Sequence, residues 1–225
     1  MIPAAYVTGW RLQSPWPEDA QVEQDLIICR ALVEIFQVPA LYDAFAFRGG
    51  TALHKLHVKR PIRYSEDIDL VQVRAEPAGD AIDAIRQALD PWLGTPKRER
   101  AENSFKLIYR VSSEGEPAKR MRLKIEVNTR EHFTVMGYQD VPFEVDSRWF
   151  SGKTIIKTFV LEELFATKLR ALYQRKKGRD LLDLWLRLTN FNLDKASIVS
   201  MFQEYLKREG LVVTQANLLG NLDSK

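Results

Sequence analysis

The sequence predicts an α/β chain in two parts: a mixed helix-and-strand lobe over residues 1–152, then a helical lobe over residues 153–225. Three observations predict it. Apolar residues recur at helical spacing in 18–36 and 80–93. Between Ser104 and Asn128, two runs of alternating apolar and polar residues flank a turn-forming stretch at 112–117, the pattern of a hairpin. Beyond Val160 the alternation gives way to strong helical periodicity.

Taken in order, residues 1–17 hold Trp10, Pro15, Trp16 and Pro17 and predict an irregular arm packed on the body. Val22, Leu26, Ile27, Ala31, Leu32 and Phe36 then mark one face of a helix. A short segment over 38–47 leads into Gly49-Gly50-Thr51, where Ala52, Leu53 and Leu56 begin a second helix. Residues 62–73 contain a strand whose alternation puts Asp67 and Asp69 on one face and Ile68 and Leu70 on the other. Ile82, Ile85, Leu89 and Leu93 give the next helix its apolar stripe. In the second hairpin strand Met121, Leu123, Ile125 and Val127 share one face, and Arg122, Lys124, Glu126 and Asn128 the other. Helices over 161–173 and 179–188 are joined by a basic, Gly-containing link, and 193–222 holds one or two more.

With 225 residues, 45% hydrophobic and 28% charged, the chain has the composition of an ordinary globular protein. No apolar run approaches the length that spans a membrane, and no secretory signal pattern opens the chain, so the cytoplasm is the expected location. Cys29 stands alone in an apolar stretch, which suits a buried small hydrophobe and excludes an internal disulfide. His54, His57 and His132 lack the spacing of a metal cluster, and the tryptophans suit packing. The net charge of +3 says less than its distribution. Lys55, Lys59 and Arg60, and again Arg175, Lys176 and Lys177, form basic clusters that suit a polyanionic partner, or else simply solvate exposed faces.

The chemistry concentrates in Gly49-Gly50-Thr51 and Ser65-Glu66-Asp67-Ile68-Asp69. A Gly-Gly turn opening a helix can present backbone N–H groups, with the Thr51 hydroxyl, to phosphate; it can also be a plain strand-to-helix turn. Asp is depleted in strands, so Asp67 and Asp69 inside an apolar run ask for a reason. Alone they could be exposed acids at a strand end, and it is the upstream Gly-Gly-Thr that favours a pair of metal ligands. Glu126 could complete a metal cage, or could be an exposed acid on a solvated strand face, pairing with Lys124 or Arg122 across the sheet. Lys168 and Asp180 lie on the helices after Val160. The simplest readings there are a snorkelling lysine and a first-turn acid favoured by the helix dipole.

Together these blocks resemble the AbiEii/AbiGii nucleotidyltransferase toxins of the polymerase-β-like nucleotidyltransferase superfamily. The resemblance is carried by Gly49-Gly50-Thr51 with Ser65 through Asp69, by Lys124-Ile125-Glu126-Val127-Asn128, by Glu162 through Leu172, and by Arg179-Asp180-Leu181-Leu182-Asp183-Leu184. It implies a nucleotidyltransferase lobe with a mixed sheet and a helical lobe that completes the active site. It implies Asp67 and Asp69 as ligands of Mg²⁺ or Mn²⁺, Glu126 as a variable third, and Lys168 facing the triphosphate. Asp180 matches the acid of the last motif, and Ser65 a site-lining serine. The implied substrates are an NTP and RNA, the tRNA acceptor end first, and the implied partner is a cognate antitoxin encoded next to the gene. Nucleotidylation of a protein or small molecule on the same scaffold is the competing reading. A non-catalytic nucleic-acid-binding module is a third, disfavoured because paired carboxylates repel phosphate.

Overall fold

A computed structural model describes residues 2–58, 64–114, 117–175, 178–188 and 192–223. Within them the chain divides into two compact units: residues up to Phe133 with Tyr138–Thr158, and Thr134–Gly137 with the chain from Phe159.

The first unit is built on a seven-stranded sheet of order β3-β4-β5-β2-β1-β7-β6, its strands being β1 Phe45–Arg48, β2 Asp67–Gln72, β3 Lys97–Ala101, β4 Ser104–Ser112, β5 Arg120–Asn128, β6 Tyr138–Asp146 and β7 Ser151–Phe159. It is mixed: β1 runs antiparallel to β2, while β2 pairs with β5 and β1 with β7 in parallel. The hairpin is the one the alternation predicts, with Ser112 opposite Arg120 and Ser104 opposite Asn128. Strands β3, β6 and β7 have no counterpart in the sequence reading, and β7 places 151–159 in strand where a helical lobe was expected to begin. Both sheet edges explain themselves. β3 is Lys-Arg-Glu-Arg-Ala, a charged edge that resists further pairing, and β6 tolerates Pro142 because it lies at the other edge.

Helices α2 Asp19–Phe36, α3 Pro39–Ala44, α4 Gly49–His57 and α5 Gly79–Leu93 belong to this unit. Ile27, Ile28, Leu32 and Ile35 of α2 are fully buried, as are Ile68 of β2 and Ile125 of β5. One continuous core therefore holds the strand that carries Asp67 and Asp69. The N-terminal arm is less irregular than expected, because Ala4–Trp10 forms α1. Its packing is as expected: Asp25 accepts from Trp10 Nε1 at 2.9 Å and from Trp16 Nε1 at 3.4 Å, and both indoles are buried.

The second unit contains α6 Leu161–Arg175, α7 Gly178–Leu188, α8 Lys195–Arg208 and α9 Gln215–Asp223. Asp194 caps α8 by accepting from the N–H groups of Ala196 and Ser197. Glu163 of α6 is fully buried and ties the unit together. Its carboxylate accepts from Thr134 Oγ1 (2.7 Å), Val135 N (2.7 Å), Met136 N (3.0 Å) and the Tyr205 hydroxyl (2.7 Å). That set of four donors is why a tetrapeptide from between β5 and β6 belongs with the helices. Among the described residues, no helix is long and apolar enough to cross a membrane.

Candidate active site

The site is assembled at the centre of the sheet by register. Parallel pairing of β2 with β5 sets Asp67 opposite Lys124 and Asp69 opposite Glu126. Antiparallel pairing with β1 sets Asp69 opposite Arg48, the residue before the glycine turn. Since side chains alternate, residues 67, 69, 124 and 126 share one face, and Ile68, Leu70, Ile125 and Val127 anchor the other in the core.

Gly49 has φ +84°, a conformation that L side chains rarely adopt. A Cβ built there would lie 2.2 Å from Asp69 Oδ2, so the bare backbone is what makes room for that carboxylate. The turn opens α4, which is nine residues long and presents its first N–H groups at the Gly49 end. Thr51 is buried, and its hydroxyl is already engaged, donating to the Asp67 carbonyl at 2.5 Å and lying 2.7 Å from Ser65 Oγ. The hydroxyl that the sequence offers to phosphate thus pins α4 to the start of β2, and Ser65 joins the same link.

Asp67 Oδ2 lies 3.0 Å from Lys124 Nζ, and the same ammonium lies 3.1 Å from Glu126 Oε2. Lys106 approaches the other oxygen of Glu126 at 3.5 Å. Burial opposes the charge on Lys124, but Asp67 and then Glu126 outweigh it and raise its pKa. Burial likewise opposes the charge on Glu126, yet Lys124 and Lys106 lower its pKa. Asp69 goes the other way: burial first, then the neighbouring Asp67 charge, raise it above its ordinary 3.8 despite Arg48 and Lys124. Arg48 is itself ion-paired with Glu131.

Glu126 is therefore held by lysines rather than gathered with the aspartates. Among the described residues no three His, Cys, Asp or Glu side chains converge as a metal site. Two carboxylates still fit a divalent ion. Asp67 Oδ1 is buried with no hydrogen-bond partner, and Asp69 Oδ2 sits in the space a Cβ at Gly49 would fill. Mg²⁺ in phosphoryl-transfer sites is typically held by one or two carboxylates, with substrate phosphates and water completing the shell.

In the helical unit Lys168 Nζ lies 3.0 Å from Asp180 Oδ1 and 3.0 Å from Asp183 Oδ2. All three side chains are buried, so Lys168 is clamped rather than snorkelling. Asp180 does more than cap its helix. Asp183 was missed as a site residue, although its i, i+3 spacing from Asp180 was the available signal. The half-exposed Arg175 stands 3.7 Å from Asp180 Oδ2.

The basic clusters fare differently. Lys55 is an internal partner: its Nζ lies 2.5 Å from Asp25 Oδ1, and the pair lines a cavity of about 440 Å³ with Trp10, Trp16, Thr51 and Ser65. Cys29 beside it is buried, and desolvation pushes its thiol up to about 12, as suits an inert core residue. Lys59, Arg60, Lys176 and Lys177 lie outside the described residues.

A family model described as "Nucleotidyl transferase AbiEii toxin, Type IV TA system" matches residues 30–223. The chain belongs to this family. AbiEii proteins are nucleotidyltransferase toxins of type IV toxin–antitoxin systems, so an NTP substrate and a cognate antitoxin come with the family. MenT4, a nucleotidyltransferase toxin from Mycobacterium tuberculosis H37Rv, shares the fold with a TM-score of 0.70 at 19% identity, over 93% of this chain and 71% of that one. JHP933 from Helicobacter pylori is similar at a TM-score of 0.53 and 16% identity, over 92% of this chain and 82% of its own. No curated protein matches the AbiEii chain described here.

Proposed function

We propose that this AbiEii protein transfers a nucleotide from an NTP to RNA in a Mg²⁺- or Mn²⁺-dependent reaction, with the tRNA acceptor end as the first candidate acceptor. The observation that supports it is the pairing of a buried, unpartnered Asp67 Oδ1 with an Asp69 carboxylate seated against the bare Cα of Gly49. Asp67 and Asp69 hold the divalent ion, whose chemistry is to neutralise the triphosphate and activate a 3′-hydroxyl. The first N–H groups of α4, at Gly49 and Gly50, bind phosphate oxygens. Thr51 and Ser65 fix that turn to the start of β2, so the N–H groups and carboxylates keep one geometry. Lys168 contacts the triphosphate, and Asp180 with Asp183 holds its ammonium in place. Arg175, with Lys59, Arg60, Lys176 and Lys177, carries the RNA backbone, which makes binding salt-dependent. The protein acts in the cytoplasm, where its NTP and RNA are found.

The test is incubation with Mg²⁺, each α-labelled NTP in turn and total bacterial tRNA, beside Asp69→Ala. Label on tRNA from wild type and none from the variant is the expected result. Label on protein instead would move the acceptor to the competing class, and an Asp69→Ala protein with wild-type transfer would refute the assignment.

A further inference from the structure

Lys124 has no role in the reaction just described, yet it occupies the most consequential place in the site. Its ammonium spans two carboxylates, 3.0 Å from Asp67 Oδ2 and 3.1 Å from Glu126 Oε2. The geometry points to Lys124 as a built-in cation that neutralises Asp67 in the metal-free protein and moves fully onto Glu126 when a divalent ion enters. The inference rests on Asp67 and Asp69 being the metal pair. Within that reading it makes Lys124 a positioning residue that tunes metal affinity, and makes Glu126 its counter-ion rather than a third ligand.

Four features carry it. Register is the first: Asp67 faces Lys124 across the β2–β5 ladder, so the lysine is delivered to the carboxylate by the sheet rather than by a loop. The second is electrostatic. Asp67 and Asp69 put like charges on one face of β2, and Lys124, 3.0 Å from Asp67 Oδ2, offsets their repulsion before any metal arrives. Third, only one oxygen of Asp67 is engaged; Oδ1 stays buried without a partner, so the carboxylate keeps a free acceptor for an incoming ion. Fourth, Glu126 is steadied from its other oxygen by Lys106 at 3.5 Å, leaving Oε2 directed at Lys124. A divalent cation on Oδ1 and the ammonium on Oδ2 of one carboxylate still repel each other, which weakens the hold of Asp67 on Lys124. Glu126 supplies a second carboxylate to receive it.

Mn²⁺ alone, without nucleotide or RNA, tests this by the loss of the free-ion electron paramagnetic resonance signal on titration. Lys124→Met is expected to bind Mn²⁺ about tenfold more tightly than wild type, with Lys124→Arg, which keeps the charge, remaining near wild type. Equal or weaker binding by Lys124→Met overturns the proposal. Glu126→Gln should weaken Mn²⁺ binding in the wild-type background, because Lys124 loses its second site, and should have no effect in a Lys124→Met background. The same loss in both backgrounds would make Glu126 a ligand and overturn its role here. Asp69→Ala separates the two levels of argument. Mn²⁺ binding lost in Asp69→Ala but unchanged in Lys124→Met refutes the lysine role alone. Binding retained in Asp69→Ala refutes the metal pair, and this inference falls with it.

Discussion

Replacing Gly49 by Ala tests the site's most demanding contact. Two costs follow from the structure. The backbone cost comes from φ +84°, which for an L residue is on the order of 1–2 kcal/mol. The second is steric. The new Cβ would meet Asp69 Oδ2 at 2.2 Å, Cγ at 3.1 Å and Cβ at 3.2 Å, so the whole carboxylate must give way, not just its tip. Relief to ordinary contact moves that oxygen by about 1 Å or more, a displacement that typically lowers a precisely positioned reaction by about 100-fold. Gly94→Ala supplies the control. Gly94 also has positive φ, +77°, but nothing lies within 4 Å of its Cβ direction. Both variants should lose about 1–3 kcal/mol in urea unfolding. Only Gly49→Ala should lose nucleotidyl transfer, measured with labelled NTP under conditions where both are fully folded. Equal transfer by the two variants would refute the claim that Gly49 exists to seat Asp69.

The buried Asp25–Lys55 pair gives a stability prediction: Asp25→Ala strands an ammonium and two indole N–H groups and should cost about 3–5 kcal/mol by denaturant unfolding. The pair also sets a pH response. Burial opposes the Asp25 charge, but Lys55 and the two tryptophans hold its pKa below the ordinary 3.8, so its contribution is complete above that value and fades as pH falls through the folded pKa. Wild type should therefore lose its advantage over Asp25→Ala on acidification below pH 3.8, and a constant difference would refute the linkage. Lys168→Met leaves Asp180 and Asp183 buried without their shared cation; a loss of about 3–5 kcal/mol in thermal or urea unfolding is expected, and one under 1 kcal/mol would show the clamp to be loose. Asp69→Asn should behave in the opposite sense. A carboxylate whose pKa is raised on folding destabilises the folded protein at neutral pH, so its removal should raise the urea unfolding midpoint while abolishing transfer, and a lowered midpoint would refute the reading.

Local periodicity made much of the fold legible. The stripe of Ile82, Ile85, Leu89 and Leu93 and the alternation of Met121 through Val127 each announce an element without help from the rest of the chain. Asp67 and Asp69 were legible for the same reason, as residues whose type contradicts their strand setting. β6 and β7 were not, because Pro142 argues against a strand unless its edge position is known, and β7 alternates only weakly. Charge was the poorest guide. Lys55 belongs to a basic cluster in sequence but is matched to Asp25, thirty positions away, by helix packing. Lys124 looked like one more solvated residue on a polar strand face until the β2–β5 register put Asp67 beside it. Sequence shows which charges exist; register and packing decide which of them meet.

The Glu163 anchor bears on how such a chain can be taken apart. Because residues 134–137 lie with the helices while their flanking segments return to the sheet unit, the backbone passes between the units three times rather than once. A fragment beginning at Phe159 would carry Glu163 and Tyr205 but lack Thr134, Val135 and Met136, removing three of the four donors to a fully buried carboxylate. The helical half is thus not a module that can be cut free or shuffled onto another scaffold at its apparent boundary. Its smallest self-consistent version includes four residues borrowed from the middle of the other half, and a gene fusion or split-protein design has to bring them along.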